Sequence, residues 1–270
     1  MKIGVRAHDF PKQSPDALAS EIRKSGFEAV QLAPYKALDI REEEMLRPDT
    51  VSRIRKAFEN AGLEISVLGC YVEPGALKES VWQYSLSRFL DHIRIAKKMG
   101  AACVATETTP FEGTKAKRER TYARVLAFFR EAVKEAESAD TFVAIEPVLA
   151  HTIHTPEMAK RLLDEVSSDR LRIIFDPINL LPPNGVNNQD DLWQRCIDCF
   201  GDKVIAMHIK NGCWQDSQYI PLPLDQGVMH FQPILRWIRE KMPDLPLIRE
   251  EAQMRDVKKD IAFIKAAWKA

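Results

Sequence analysis

One pattern recurs four times along the chain and limits the folds open to it: an amphipathic helical stretch, a glycine, then a short apolar run rich in Val, Ile and Ala. The glycines are Gly26, Gly62, Gly100 and Gly201. Each suits the left-handed position that ends a helix, and each following run has the length and content of a parallel strand buried on both faces. The first three lie at close to the spacing of one βα unit in a barrel of about 250 residues. Extending the pattern predicts eight strands: Lys2–Ala7, Glu28–Ala33, Glu64–Cys70, Ala102–Glu107, Phe142–Glu146, Arg172–Asp176, Val204–Ile209 and Leu245–Glu250.

Helices are predicted between the strands, several with readable starts. Ser14-Pro15 and Arg47-Pro48-Asp49 put proline near a first turn, and Thr155-Pro156-Glu157 reads as an N-cap, a proline at the first helical position and an acidic first turn. Glu79–Met99 and Lys115–Ser138 carry apolar residues at three- and four-residue spacing, as long amphipathic helices do. Strict alternation implies a parallel sheet, and eight repeats imply closure, so the expected fold is a single (β/α)8 TIM barrel of eight parallel strands. With no Gly/Ser- or Pro-rich linker, residues 1–270 read as one domain. A doubly wound open sheet would need a Gly-rich phosphate turn after an early strand, and none is present.

Composition narrows the partners. The chain has 270 residues, 45% of them hydrophobic, with 39 basic and 39 acidic side chains. That balance offers no electrostatic footprint for a nucleic-acid backbone or an anionic membrane surface. No apolar run of about 18 residues appears, so no transmembrane helix is expected. The N-terminus passes straight into an apolar-alternating stretch, so no signal peptide is expected either. Five scattered cysteines form no disulfide framework and fit a cytoplasmic location. Cys196 and Cys199 make a C-x-x-C on a predicted helix, without the second pair that a zinc site would need.

The active site of a parallel barrel lies at the C-terminal ends of its strands. In the second half of the chain Val143-Ala-Ile-Glu146, Ile173-Ile-Phe-Asp176, Ile205-Ala-Met-His208 and Leu247-Ile-Arg-Glu250 each end an apolar run on a side chain able to ligate a metal, one per βα unit. Strand alternation puts Ala144 with Glu146, Ile174 with Asp176, Ala206 with His208 and Ile248 with Glu250 on one face. Three carboxylates converging on a barrel mouth repel one another unless a cation lies among them. The expected cofactor is one divalent metal ion, Mn2+ first, with Mg2+, Co2+ or Zn2+ as alternatives for a set of oxygens and one imidazole. Arg249-Glu250-Glu251 leaves a choice of last ligand; parity places Arg249 with Glu251, and an Arg pairing outward with surface acids favours Glu250.

These residues resemble a family. Ile145-Glu-Pro-Val-x-x-His-Thr-x-x-Thr-Pro-Glu157, Phe175-Asp-Pro-Ile-Asn-Leu180, Ala206-Met-His-Ile-Lys210 and Pro246-Leu-Ile-x-Glu250 are similar, in order, to motifs of the xylose-isomerase-like sugar phosphate isomerase/epimerase superfamily. The resemblance spans the barrel and is most specific from Glu146 to Glu250. It implies a metal held by Glu146, Asp176, His208 and Glu250, with Glu146 and Glu250 also forming the acid/base pair, as in the ketose 3-epimerases of that superfamily. Two departures stand out. The His of those epimerases' Asp-x-x-His is Asn179 here, and the Glu six residues after their first ligand is Thr152; both positions contact sugar, which argues against a free ketohexose.

The expected activity is a metal-dependent isomerase or epimerase of a sugar, or of a sugar-like polyol or keto acid, working by proton transfer next to a carbonyl through an enediolate that the cation stabilises. A metal-dependent dehydratase of a keto-inositol or related compound is the alternative, and a non-catalytic metabolite-binding barrel the second. A DNA-repair reading like endonuclease IV would need histidines after strands 2 and 3, where this chain has Gln31 and Gly69-Cys70-Tyr71. Substrate-binding candidates at the rim are His8, Gln31, Tyr71, Glu107, His151, Asn179 and Lys210. His92 and His154 are assigned to structure. The segment to Gly227 resembles a lid-like loop after strand 7, followed by His230. The partner is thus a small carbohydrate-like molecule, with homo-oligomerisation open.

Overall fold

A computed structural model of the protein describes residues 1–216 and 218–270. The first half of the chain runs β1 (Lys2–Arg6), α1 (Pro15–Lys24), β2 (Ala29–Leu32), α2 (Pro34–Ala37), α3 (Pro48–Asn60), β3 (Glu64–Gly69), α4 (Glu79–Met99), β4 (Cys103–Glu107) and α5 (Lys115–Ser138). The second runs β5 (Phe142–Glu146), α6 (Pro156–Val166), β6 (Leu171–Phe175), α7 (Pro177–Leu180), α8 (Gln189–Phe200), β7 (Val204–Ile209), β8 (Asn211–Gln215), β9 (Gln218–Leu222), α9 (Gln232–Lys241), β10 (Pro246–Arg249) and α10 (Val257–Lys269). Eight parallel strands close in the order β1-β10-β7-β6-β5-β4-β3-β2, while β8 and β9 form a separate antiparallel hairpin. The expected eight-stranded parallel α/β barrel is the observed one.

Local chemistry explains the element ends. Ser14, Thr114 and Thr155 each accept a backbone N–H of the first helical turn, and Pro15, Pro48 and Pro156 occupy the first turn, where no amide donor is missed. Gly26, Gly62 and Gly100 hold φ of 100°, 68° and 80°, so the expected left-handed glycines are there. Gly201 is different: its φ is −55°, and the chain passes through a short 3-10 turn into β7. Glycine is needed there for space, because a Cβ would lie 2.9 Å from the Trp237 ring.

The two faces of the strands pack into separate cores. Ala29, Val67, Cys103, Ala105, Ala144, Ile174, Ala206 and Ile248 form the barrel interior, apart from the larger cluster between strands and helices. These inward residues lie one pleat below Gln31, Glu107, Glu146, Asp176, His208 and Glu250, so the interior is the floor of the site. Four of them are alanine, and Gly4 completes the narrow layer: a Cβ on Gly4 would fall 2.6 Å from Ile248 Cδ1 and 2.8 Å from the Ala29 carbonyl oxygen. On the outer face of β10, Arg249 meets Asp260 of α10 at 2.6 Å with both side chains buried. The acid that turns Arg249 outward is therefore a buried one, where surface acids were expected.

The segment after β7 is sewn down. Asn211 Oδ1 accepts from Gly212 N (2.9 Å) and Met229 N (3.0 Å), and its Nδ2 donates to the Leu224 carbonyl (2.7 Å). Gly227 passes so close to Asn211 that a Cβ would fall 2.0 Å from Oδ1. The expected lid-like loop is thus a hairpin and a return segment tied down by the buried amides of Asn211 and Gln189. His230 Nδ1 lies 2.8 Å from Asp190 Oδ1 at the surface.

Candidate metal centre

Glu146 ends β5, Asp176 follows β6 as the N-cap of α7, His208 lies in β7 and Glu250 follows β10 directly. Ligand atoms of Glu146, Asp176 and His208 lie within 4.8 Å of one another, all buried. His208 Nδ1 is the hub: it is 3.5 Å from Glu146 Oε1, 3.5 Å from Asp176 Oδ2 and 3.3 Å from Glu250 Oε1. Its other nitrogen, Nε2, is 2.7 Å from Gln31 Oε1, and Gln31 Nε2 donates to the Tyr71 hydroxyl at 2.9 Å. An amide oxygen only accepts, so Nε2 carries a proton and Nδ1 is the atom left to face the carboxylates.

Charge is concentrated here. Lys210 Nζ lies 2.8 Å from both Asp176 Oδ2 and Glu250 Oε2, and Arg6 Nη1 lies 3.6 Å from Glu250 Oε1. Burial disfavours the Glu250 carboxylate, but His208, Lys210 and Arg6 outweigh it and hold its pKa well below the usual carboxylate range. Asp176 is lowered in the same way, burial being overcome by Lys210 and His208. Burial also works against charge on His208, yet Glu250 and Glu146 hold its pKa well above the ordinary imidazole value. A proton on Nδ1 and a divalent cation are therefore alternatives at one set of oxygens, and a cation bound there would displace the proton.

The donor set fits such a cation. His208 Nδ1 is buried and makes no hydrogen bond of good geometry despite three nearby carboxylate oxygens. One imidazole and three carboxylates at a barrel mouth suit a divalent ion that keeps a position open for substrate oxygens. Glu251 turns away from this centre: it takes a left-handed backbone, φ 58°, and accepts from the Tyr219 hydroxyl at 3.3 Å.

Residues 19–267 match the family described as xylose isomerase-like TIM barrel. The chain belongs to that family. Solved structures with the same barrel include a D-tagatose 3-epimerase-like protein, 17% identical with a TM-score of 0.81 over 100% of this chain and 97% of that one. D-psicose 3-epimerase, crystallised in the presence of D-fructose, is 13% identical with a TM-score of 0.77 over 100% of both chains. The IolI protein, with a bound zinc atom, is 14% identical with a TM-score of 0.76 over 99% of this chain and 98% of that one. At such identities the likeness is one of fold. None of the curated proteins matches in sequence.

The rim residues of this xylose isomerase-like barrel take varied places. Asn179, expected to meet substrate, donates to Glu146 Oε1 at 2.6 Å and so steadies one of the candidate ligands. Lys210, expected to meet an anionic group, is buried between two carboxylates. Gln31 is engaged at both ends of its amide by His208 and Tyr71. His8 packs edge-on against Tyr71 with ring centroids 6.2 Å apart, and burial, then Arg6 and Lys36, push its pKa down to about 4. Glu107 is half-buried at the end of β4; burial, then Glu146 and Glu250, push its pKa up to about 7. His151 Nε2 lies 3.6 Å from Glu107 Oε2. Thr152 is wholly buried and ties two loops together through the Thr109 carbonyl, 3.1 Å from its hydroxyl. His92 sits buried in α4 and His154 is half-buried before α6.

Three residues near the centre were not among the sequence candidates. Arg6 reaches Glu250 and bonds Asp9 at 2.7 Å. Its signal was available, since Gly4, Arg6 and His8 share one parity. Asp9 then accepts from the Ala252 backbone at 2.9 Å, fixing the turn that follows Glu250. Lys36, on the four-residue α2, places its ammonium 3.9 Å from the Tyr71 ring centroid. No periodicity marks so short a helix. Among the described residues no helix is long and apolar enough to cross a membrane, and all five cysteines are free.

Proposed function

We propose that the protein is a divalent-metal-dependent isomerase or epimerase of a carbohydrate-like substrate, moving a proton at a carbon next to a carbonyl. The observation that carries this reading is the placing of two glutamates. In the strand order β10-β7-β6-β5, Glu250 and Glu146 stand at the two ends of an arc whose middle is His208 and Asp176. A substrate seated over that arc has a carboxylate on either side, as transfer between faces of one carbon or between adjacent carbons requires. A cation held by Glu146, Asp176, His208 and Glu250 supplies Lewis-acid polarisation of the substrate carbonyl, and Mn2+ is the first ion to test.

The chain's own residues do the rest. One glutamate, as carboxylate, accepts the proton while the other, carrying a proton taken from solvent, returns one. Asn179 orients Glu146 from the side, and Lys210 and Arg6 orient Glu250. Tyr71 receives a hydrogen bond from Gln31 and so turns its own O–H toward the site, aimed at a substrate oxygen. Burial and the neighbouring Glu146 and Glu250 keep that phenol protonated.

A dehydratase is the second reading, favoured by Glu107. Glu107 stands in register with Glu146 on the neighbouring strand, half-buried at the rim, where its carboxyl can meet a departing hydroxyl. Both readings are tested by following deuterium from solvent into a panel of ketoses, keto-inositols and keto acids with Mn2+-loaded protein. Exchange into a substrate, falling about 100-fold or more in both Glu146→Gln and Glu250→Gln, supports proton transfer. Accumulation of an enone with loss of water shifts the assignment to a lyase. Exchange that survives both substitutions contradicts the two-glutamate arrangement.

A further inference from the structure

Beside the carboxylate centre lies a cavity of about 360 Å³, between the loop after β3, the first half of α4 and the loops after β4 and β5. Tyr71 and Glu107 belong both to its wall and to the rim of the centre, whereas none of the four proposed ligands lines it. The two spaces are therefore neighbours through a shared edge. At this volume the cavity is within the range that encloses whole small-molecule ligands, about 300–1,000 Å³.

Its walls are fixed. Val72 N donates to Thr106 Oγ1 (3.3 Å), Glu73 N to Ser85 Oγ (3.2 Å) and Gly75 N to Thr109 Oγ1 (2.7 Å), which pins the loop after β3 to β4 and α4. Ile153 N donates to Thr108 Oγ1 (3.2 Å) and Phe111 N to the Ala150 carbonyl (2.9 Å), which pins the loops after β4 and β5 to each other. Gly75 has no room for a side chain without pushing on Thr109, whose Oγ1 would lie 3.1 Å from its Cβ. A cavity with this many hydroxyl-to-backbone ties is preformed.

The lining has a particular chemistry. Tyr84 leaves 63% of its surface exposed, among the most exposed large hydrophobic side chains, and Arg88 Nη1 steadies the ring by donating to its hydroxyl at 3.0 Å. Glu107, His151 and Ser85 line the same cavity. Glu73 and Glu107 outnumber Arg88, whose guanidinium also lies 5.1 Å from the Tyr35 ring centroid, so no cluster of cations is set for a phosphate. An aromatic face with hydroxyl-binding groups around it fits a pyranose ring, which offers an apolar C–H face and a polar edge.

The geometry points to a second substrate subsite in this cavity: the substrate is a glycosylated sugar whose reacting unit sits over the carboxylate centre and whose second, uncharged ring rests on Tyr84 within reach of Glu107 and His151. This rests on the isomerase/epimerase reading above and names its substrate class.

The test compares maltulose and palatinose, two glucosyl-fructoses, with fructose and fructose 6-phosphate, measuring binding by calorimetry and deuterium exchange in parallel on Mn2+-loaded protein. At least one disaccharide is expected to bind tenfold or more tighter than fructose. Tyr84→Ala brings that affinity down to the fructose level, and Tyr84→Phe keeps it. Fructose or fructose 6-phosphate binding as tightly as both disaccharides, a preference that survives Tyr84→Ala, or no disaccharide binding at all overturns the subsite. Exchange without disaccharide preference removes the subsite and keeps the isomerase reading. A Tyr84-dependent disaccharide preference without exchange does the reverse.

Discussion

At the scale of single residues the centre turns on which nitrogen of His208 faces inward, and Gln31 decides that by accepting from Nε2. Gln31→Leu removes the acceptor, strands a buried N–H and frees the ring to change tautomer. The expected outcome is a 10–100-fold loss of Mn2+ affinity in competition with a chromogenic chelator, with the fold retained; unchanged affinity contradicts the role. Much of the centre was legible in the sequence because period-two alternation carries a side chain's face without any knowledge of the fold. Ala144 and Glu146, or Ala206 and His208, announce their common face. Alternation does not say which residue across the barrel a side chain will meet. Gln31 was visible as a rim residue, but its engagement with His208 arises only when β2 and β7 curve toward each other across the closed barrel. Asn179 and Lys210 were legible as polar residues beside ligands, yet their contacts with Glu146, Asp176 and Glu250 depend on side-chain reach.

At the scale of elements β10 shows how a strand is held in register for its last residue. Arg249 is locked outward by Asp260 of α10, Glu250 turns inward to His208, and Glu251 leaves the strand in a left-handed conformation against Tyr219 of β9. Removing one member of a buried pair strands a charge, so Arg249→Met is expected to cost about 3–5 kcal/mol in urea denaturation. Replacing both, as Arg249→Met with Asp260→Leu, recovers most of that loss. A double variant no more stable than Arg249→Met contradicts the pairing. Helix starts were readable because proline and hydroxyl caps act within one turn. Gly201 misled because a glycine after a helix signals either a left-handed stop or a lack of room, and only the neighbouring Trp237 shows which. The segment after β7 was opaque for a similar reason: Asn211, which ties it down, reads in sequence as an ordinary loop residue.

At the scale of the whole molecule, eight βα units bring strand ends together around a buried cluster of carboxylates and cationic side chains, and pH reports on that arrangement. His8 titrates near 6.5 when unfolded but at about 4 in the folded rim. Between those values the unfolded chain binds one more proton, so His8's contribution to stability is complete above pH 6.5 and is lost as pH falls toward and through 4. His8→Gln is therefore expected to flatten the dependence of unfolding free energy on pH over that window by up to one proton, and an unchanged slope contradicts the neutral, half-buried imidazole. The same convergence calls for a divalent cation. Its most direct test is an anomalous difference map from crystals grown with saturating Mn2+. The expected result is one peak about 2.0–2.3 Å from His208 Nδ1 and from carboxylate oxygens of Glu146, Asp176 and Glu250. No peak among those four residues, with Lys210 still bridging Asp176 and Glu250, would contradict it.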